Sequence, residues 1–216
     1  MVASSTASSA VPTRERPALI LASASPRRLA LLEQIGLPPD EIRPADIDET
    51  PQAGELPRPY AARMAREKAE KIARETTKPA LILGSDTVIA VGRRILPKAL
   101  DEDTARHCLS LLSGRRHKVL TSVVCCPSAA WPEGHHNARL VETSVIFNRL
   151  TSQQIDALIA QGDWRGKAGG YALQGAAAAY IRQISGSASG VVGLPLFETA
   201  QLLRGQPRPA HARWLP

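Results

Sequence analysis

Residues 19–28 read LILASASPRR, and the order of residue types within them sets the fold class. The apolar run 18–23, ALILAS, has the length and unbroken hydrophobicity of a short buried strand. Ser25 then stands where a helix N-cap belongs, with Pro26 at the first helical position, where its missing N–H costs nothing. Leu29, Leu32 and Ile35 recur at helical spacing, and Gly36 followed by Pro38 and Pro39 ends that helix. The same turn gathers the hydroxyls of Ser23 and Ser25, backbone N–H groups and the positive end of a helix around one point, which is anion-binding geometry. Arg27 and Arg28 add planar forks able to grip phosphate bidentately. Two cations in a first helical turn also oppose the helix dipole, a conflict that a bound anion relieves. An N-cap with two surface arginines is the competing explanation.

Downstream, strands and helices alternate. Residues 40–59 are loop-like and carry the acidic cluster Asp46, Asp48 and Glu49. Residues 59–76 predict a helix with Tyr60, Met64, Ala65 and Ile72 on one apolar stripe, and Lys68 falls inside that stripe. Its ammonium either snorkels to water or points into an anion-binding cleft. Residues 80–83 form a second buried-strand pattern, followed by a Gly84-Ser85-Asp86-Thr87 turn and a further β-rich run to Val91. A helix over 101–114, strands over 117–126 and 140–147, and a helix from the Thr151/Gln154 capping box to Gly162 come next. Beyond them lie the glycine-punctuated stretch WRGKAGGYALQG (164–175), a strand over 179–184, a loop over 185–190 and a last helix over 195–203. The pattern predicts an α/β domain with a mixed sheet and flanking helices over 18–206, a disordered tail over 1–17 and a short tail over 207–216.

Composition narrows the function. The chain has 216 residues, enough for a sizeable core, and 27 Lys and Arg against 20 Asp and Glu, which favours an anionic partner. Part of that excess, Arg14, Arg16, Arg204, Arg208 and Arg213, reads as solvated charge in the flanks. Aromatic residues are 4% and do not interleave with the basic ones, so a nucleic-acid-stacking surface is not expected. Three cysteines give neither a disulfide framework nor a metal-ligand spacing, which fits the cytoplasm, and no apolar run is long enough for a membrane span. The five histidines are scattered, against catalytic zinc, and no P-loop, dinucleotide fingerprint or nucleophile elbow occurs.

Asp86 is the leading candidate for a general base, since it follows an apolar strand and ligands gather at the carboxyl ends of strands in open α/β sheets. It could also ligate Mg²⁺, and the acidic trio Asp46, Asp48 and Glu49 could help hold such a metal, with Glu49 the chosen ligand. Lys68 and Lys98 would neutralise a polyphosphate. Gln174, in the glycine-punctuated stretch, could place an amide against a base edge.

In order along residues 18–205, LILASASPRRLALLEQIGL, DIDE, YAARMAREKA, LILGSDTVI, ILPK, LLSGRRHKVLTSV, GKAGGYALQG and VVGLPL resemble the Maf family. The resemblance implies a nucleoside triphosphate pyrophosphatase with two lobes around a deep cleft, similar to the inosine triphosphatase architecture. It further implies a homodimer that depends on a divalent cation, Mg or Mn. It assigns Asp86 as proton acceptor, Ser23, Arg27, Lys68 and Lys98 to the phosphates, and Arg28, Thr87 and Gln174 to base preference. That trio resembles the branch acting on dTTP and UTP rather than the one acting on 7-methyl-GTP. Two stretches depart from the family pattern: Lys98 is flanked as Pro-Lys-Ala instead of Gly-Lys-Pro, and the usual aromatic and asparagine are missing before VVGLPL. The rival from another class is a non-catalytic nucleic-acid-binding or cell-division factor, supported by the net positive charge and the Arg-rich tails.

Overall fold

The computed structural model describes residues 16–207, so the tails expected over 1–17 and 207–216 lie outside the described residues except for 16, 17 and 207. Strand β1 (Ala18–Leu21) feeds helix α1 (Pro26–Gln34), as the opening motif requires. Then come β2 (Glu41–Ile42), α2 (Pro57–Arg74), β3 (Ala80–Val91), β4 (Arg94–Leu96) and β5 (Lys98–Ala99). Helix α3 (Glu102–Leu112) precedes the long hairpin of β6 (Arg116–Pro127) and β7 (Asn137–Phe147). Helix α4 (Ser152–Gln161), β8 (Lys167–Ala168), a 3-10 turn (Ala176–Tyr180), β9 (Ile181–Ser185), α5 (Ala188–Val192) and α6 (Leu196–Arg204) complete it. Capping follows the sequence: Asp101 accepts from the Thr104 amide, Thr151 and Gln154 form the reciprocal box, and Gly162 closes α4 in the left-handed region at φ 75°.

The sheet runs β2-β1-β3-β6-β7-β9, with β4 also on β3, and β5 pairs with β8 apart from it. It is mixed, since β1 lies parallel to β2 and β3 while β3, β6, β7 and β9 are successively antiparallel. On one face α2 covers the sheet through Ala65, Ala69 and Ile72 against Ile20 and Ile82, and through Tyr60 and Met64 against Val88 and Leu120. The other face carries two cores. One packs α1 and α6 on Leu19, Leu81 and Leu83; the other packs α3 and α4 on Ile89, Val119 and Phe147. The α/β class with a mixed sheet is therefore as expected.

Four local expectations change. The GSDT segment is not a turn: β3 continues through it for twelve residues, paired with β6 from Leu81 to Ala90. Each polar residue there finds a tertiary partner, which removes the penalty that makes such residues favour turns. Asp86 consequently sits inside a strand, opposite Ser122, and not at its carboxyl end. The strand expected from 179 begins at Ile181 after the 3-10 turn, and the loop expected over 185–190 contains the start of α5. Arg16, assigned to a solvated flank, forks onto both carboxylate oxygens of Asp40 at 2.9 and 2.6 Å.

Along β3 the side chains alternate between the two faces. Even-numbered Gly84, Asp86 and Val88 face α2, while odd-numbered Ser85, Thr87 and Ile89 face the other way. Strand β1 covers the edge of β3 only as far as Leu83, and β4 resumes pairing only at Ile89. Between them, residues 84–88 present an unpaired edge, and there the cleft opens. Gly84 lets α2 approach closely: a Cβ on it would meet the Ala65 carbonyl oxygen at 2.5 Å and the Ala69 Cβ at 2.8 Å. Gly84→Ala is expected to lower stability by about 1–3 kcal/mol through overpacking, read as a fall in the urea midpoint with an unchanged slope.

Candidate active site

A cleft of about 440 Å³ opens at that unpaired edge, and all ten candidate residues line it. The β1–α1 turn brings Ser23, Ser25, Arg27 and Arg28. The loop after β2 brings Glu49, α2 brings Lys68, β3 brings Asp86 and Thr87, β5 brings Lys98, and the 171–174 segment brings Gln174. Lys98 thus reaches the cleft despite its Pro-Lys-Ala flanks, because pairing of β5 with β8 fixes its backbone opposite Ala168.

The charged groups form a chain. Lys68 is buried, so the cleft-pointing alternative holds: its Nζ lies 2.7 Å from Asp86 Oδ1 and 2.7 Å from Glu49 Oε1. Glu49 Oε2 in turn accepts from Lys98 Nζ. Lys68 occupies the same helical face as Tyr60 and Met64, at i+8 and i+4, which is why a lysine inside an apolar stripe reaches the strand beneath. The Glu49 loop is tied to the same helix: the Tyr60 hydroxyl donates to the Glu49 carbonyl at 2.6 Å, Arg63 donates to the Thr50 carbonyl at 3.2 Å, and Lys71 donates to the Asp46 carbonyl. Of the acidic trio only Glu49 reaches the cleft; Asp48 accepts from the Thr50 amide at 2.9 Å and so caps its own turn.

The arginines divide. Arg28 Nε donates to the Gly193 carbonyl at 2.9 Å and its Nη1 to Ser23 Oγ at 2.9 Å, so its guanidinium is held across the cleft wall. Desolvation lowers its pKa, opposed by the Asp86 charge and reinforced by Arg27. Arg27 is half-buried, and desolvation lowers its pKa too. Ser23 Oγ also accepts from the Ser25 amide at 3.2 Å, and the Ser25 hydroxyl makes no cap bond to α1. Apart from the contact between Arg28 and Ser23, the cations and hydroxyls of this turn are not spent on capping α1, an arrangement suited to an incoming anion.

Lys167 is a cleft residue that the sequence did not single out. It lies in β8 on the GKAGG stretch, its Nζ donates to the Arg165 carbonyl at 3.1 Å, and desolvation together with repulsion from Arg27 lowers its pKa. The available signal was only a lysine between glycines. Buried His117 also escaped notice: its Nε2 lies 2.8 Å from the Tyr171 hydroxyl, and desolvation pulls its pKa down to about 4, so it is neutral near pH 7. It braces the Tyr171 wall of the cleft from behind.

Burial alone would raise the Glu49 pKa, but hydrogen bonds from Lys68 and Lys98 outweigh it and hold the carboxyl at about 2. Because that value lies below the unfolded 4.5, the ionised group's stabilisation is complete above 4.5 and is lost as pH falls towards 2. The stability deficit of Glu49→Gln relative to the unaltered chain, measured by urea denaturation, is expected to be constant near neutrality and to shrink once pH drops below 4.5.

Comparison with known proteins identifies the family. A family model described as Maf-like protein matches residues 18–206. A dTTP/UTP pyrophosphatase of Gluconobacter oxydans is 74% identical over 193 residues, covering 89% of this chain and 88% of that one. A dTTP/UTP pyrophosphatase of Rhodopseudomonas palustris is 53% identical over 205 residues, covering 93% and 97%. A solved HAM1 protein from Coxiella burnetii aligns at 19% identity and a TM-score of 0.41, over 61% of this chain and 73% of that one, too loose a likeness to weigh on the architecture. With the family model matching residues 18–206 and a relative 74% identical over 89% of this sequence, the chain belongs to the Maf family.

Proposed function

We propose that this protein is a nucleoside triphosphate pyrophosphatase that hydrolyses dTTP and UTP to the monophosphate and pyrophosphate. The observation that carries the reading is the charge chain Asp86–Lys68–Glu49–Lys98 facing the arginine-bearing β1–α1 turn across one cleft. The names of the relatives, both dTTP/UTP pyrophosphatases, supply the substrate class and do not favour the 7-methyl-GTP alternative.

In this mechanism Asp86 accepts the proton of a water that attacks the α-phosphorus, and the bond to the bridging oxygen breaks to release pyrophosphate. Lys68, 2.7 Å from the Asp86 carboxylate, holds that group in place and offsets charge on the phosphates. Arg27, Ser23, Ser25 and Lys98 grip the polyphosphate, while Arg28, Thr87 and Gln174 face the base. Glu49 and Asp86 both converge on one positive charge, and two carboxylates plus phosphate oxygens make the hard donor set that Mg²⁺ or Mn²⁺ uses. Among the described residues no group of three or more His, Cys, Asp or Glu could hold a metal, so such an ion would depend on the substrate's own oxygens. When bound it would withdraw charge from the phosphates. The family also implies a homodimer, and the cysteine usage favours a cytoplasmic setting. Free, buried Cys108, Cys125 and Cys126 suit a reducing compartment, and no described helix is long and apolar enough to cross a membrane.

Asp86→Asn is expected to lower kcat for dTTP and UTP by about 10²–10⁴-fold with Mg²⁺ present, measured as pyrophosphate release; retention of the full rate would remove Asp86 as the base. Inertness of the unaltered chain towards every nucleoside triphosphate, joined to salt-sensitive DNA binding, would instead favour the nucleic-acid reading. Lys167→Ala is expected to raise KM for UTP about three- to tenfold with a smaller change in kcat, since it removes a cation from the cleft wall and not from the reacting atoms.

A further inference from the structure

Helix α4 closes at Gly162, and buried Trp164 follows, its Nε1 donating to the Ile159 carbonyl at 2.9 Å. Asp163 stands between these two fixed points with its side chain on the surface. Thirteen residues on, its Oδ2 accepts from the Ala176 amide at 2.8 Å. The contact extends to Gly175, where a Cβ would stand 2.2 Å from Asp163 Oδ2 and 2.7 Å from its Cγ. The Gly175 φ of −111° suits any residue, so it is the carboxylate pressed against it that excludes a side chain there.

The chain between the two halves of this clasp carries Lys167, Tyr171 and Gln174, all of which line the cleft. Tyr171 is buried and held by His117. Beyond it the Gly175 amide donates to the Ala172 carbonyl at 3.1 Å, which folds 172–175 into a turn with Gln174 exposed at its third position. The place of a residue on such a turn is set by what holds the two ends. Here one end is fixed by Tyr171 and the other by Asp163. Desolvation and Arg27 lower the Lys167 pKa, and the Asp163 charge opposes them, so the same carboxylate is felt by a second cleft side chain.

We propose that Asp163 is a positioning residue for base preference: by holding Gly175 and Ala176 against its carboxylate, it fixes the turn that presents Gln174 to the nucleotide base. The inference rests on the pyrophosphatase reading above, in which Gln174 faces the base. Asp163 does not itself line the cleft; it acts through Gln174.

The experiment measures kcat/KM for UTP and GTP with Mg²⁺ in the unaltered chain and in Asp163→Ala, Asp163→Asn, Gly175→Ala and Gln174→Ala. Two double variants, Asp163→Ala with Gln174→Ala and Asp163→Ala with Gly175→Ala, complete the set. The UTP:GTP ratio does not depend on how much of the protein is folded, and both nucleotides carry the same triphosphate, so lost stability or an altered Lys167 changes both constants alike. Asp163→Ala is expected to lower the ratio about three- to tenfold, through KM for UTP more than kcat, because the turn is released while the reacting atoms are untouched. Asp163→Asn keeps an oxygen for the Ala176 amide and is expected to restore the ratio. Gly175→Ala pushes the carboxylate aside and should reproduce the loss, yet add nothing to Asp163→Ala, where the space is free. Asp163→Ala should likewise add nothing once Gln174 is replaced. An unchanged ratio in Asp163→Ala, a loss that Asp163→Asn does not restore, or losses that add in either double variant overturn the inference and leave the pyrophosphatase intact. A Gln174→Ala variant with an unaltered ratio overturns the inference in the same way. An unaltered chain that cleaves no nucleoside triphosphate refutes the activity and the inference together.

Discussion

The site depends on a mismatch in strand length. β3 runs twelve residues and keeps β6 on one side throughout, but on its other side β1 stops opposite Leu83 and β4 begins opposite Ile89. A strand edge left bare in the middle of a sheet exposes backbone polar groups to whatever fills the gap. Here the gap is walled by the β1–α1 turn, α2 and the β5–β8 ladder, so it becomes a cleft and not a pairing surface. The two apolar cores on the odd-numbered face of β3 lie on either side of it, one on Leu81 and Leu83 and the other on Ile89.

Electrostatics explains why Lys68 tolerates burial. An isolated buried ammonium would be costly, but this one is met by two carboxylates at 2.7 Å, and one of these is further held by Lys98. Glu49 is the least constrained member by backbone, since it sits on a loop, and Tyr60, Arg63 and Lys71 compensate by fastening that loop to α2 at three points. One helix therefore sets the position of both carboxylates' common partner and of the loop that bears one of them.

Much of this was legible from residue order. The β1–α1 unit, the capped helices α3 and α4 and the long hairpin follow from periodicity and caps, while the ten candidates that line the cleft came from residue chemistry together with the resemblance to the Maf family. What the sequence concealed has a common cause, which is tertiary satisfaction of locally turn-forming residues. Gly84, Ser85, Asp86 and Thr87 favour a turn on their own terms. They lie in a strand because Gly84 fits under α2, Ser85 bonds the Ser122 carbonyl, Asp86 meets Lys68 and Thr87 meets Thr121. The fork of Arg16 on Asp40 and the bracing of Tyr171 by His117 join residues 24 and 54 positions apart, and no local pattern announces such pairs. Lys167 escaped because a lysine among glycines looks the same whether it lines a cleft or faces water.

The alternation of β3 also bears on how such an enzyme can change. On the proposed reading, the Asp86 carboxylate that would take the water's proton projects from one face and the Thr87 hydroxyl that would meet the base projects from the other, on consecutive residues of the same strand. On that reading, substitutions beneath Thr87 or in the α5–α6 turn would alter what is recognised without moving Asp86 or its lysine, because the backbone that carries both residues is paired with β6. The fold thus offers two separately adjustable surfaces a single peptide bond apart, so that substrate range can drift while the hydrolytic step stays unaltered.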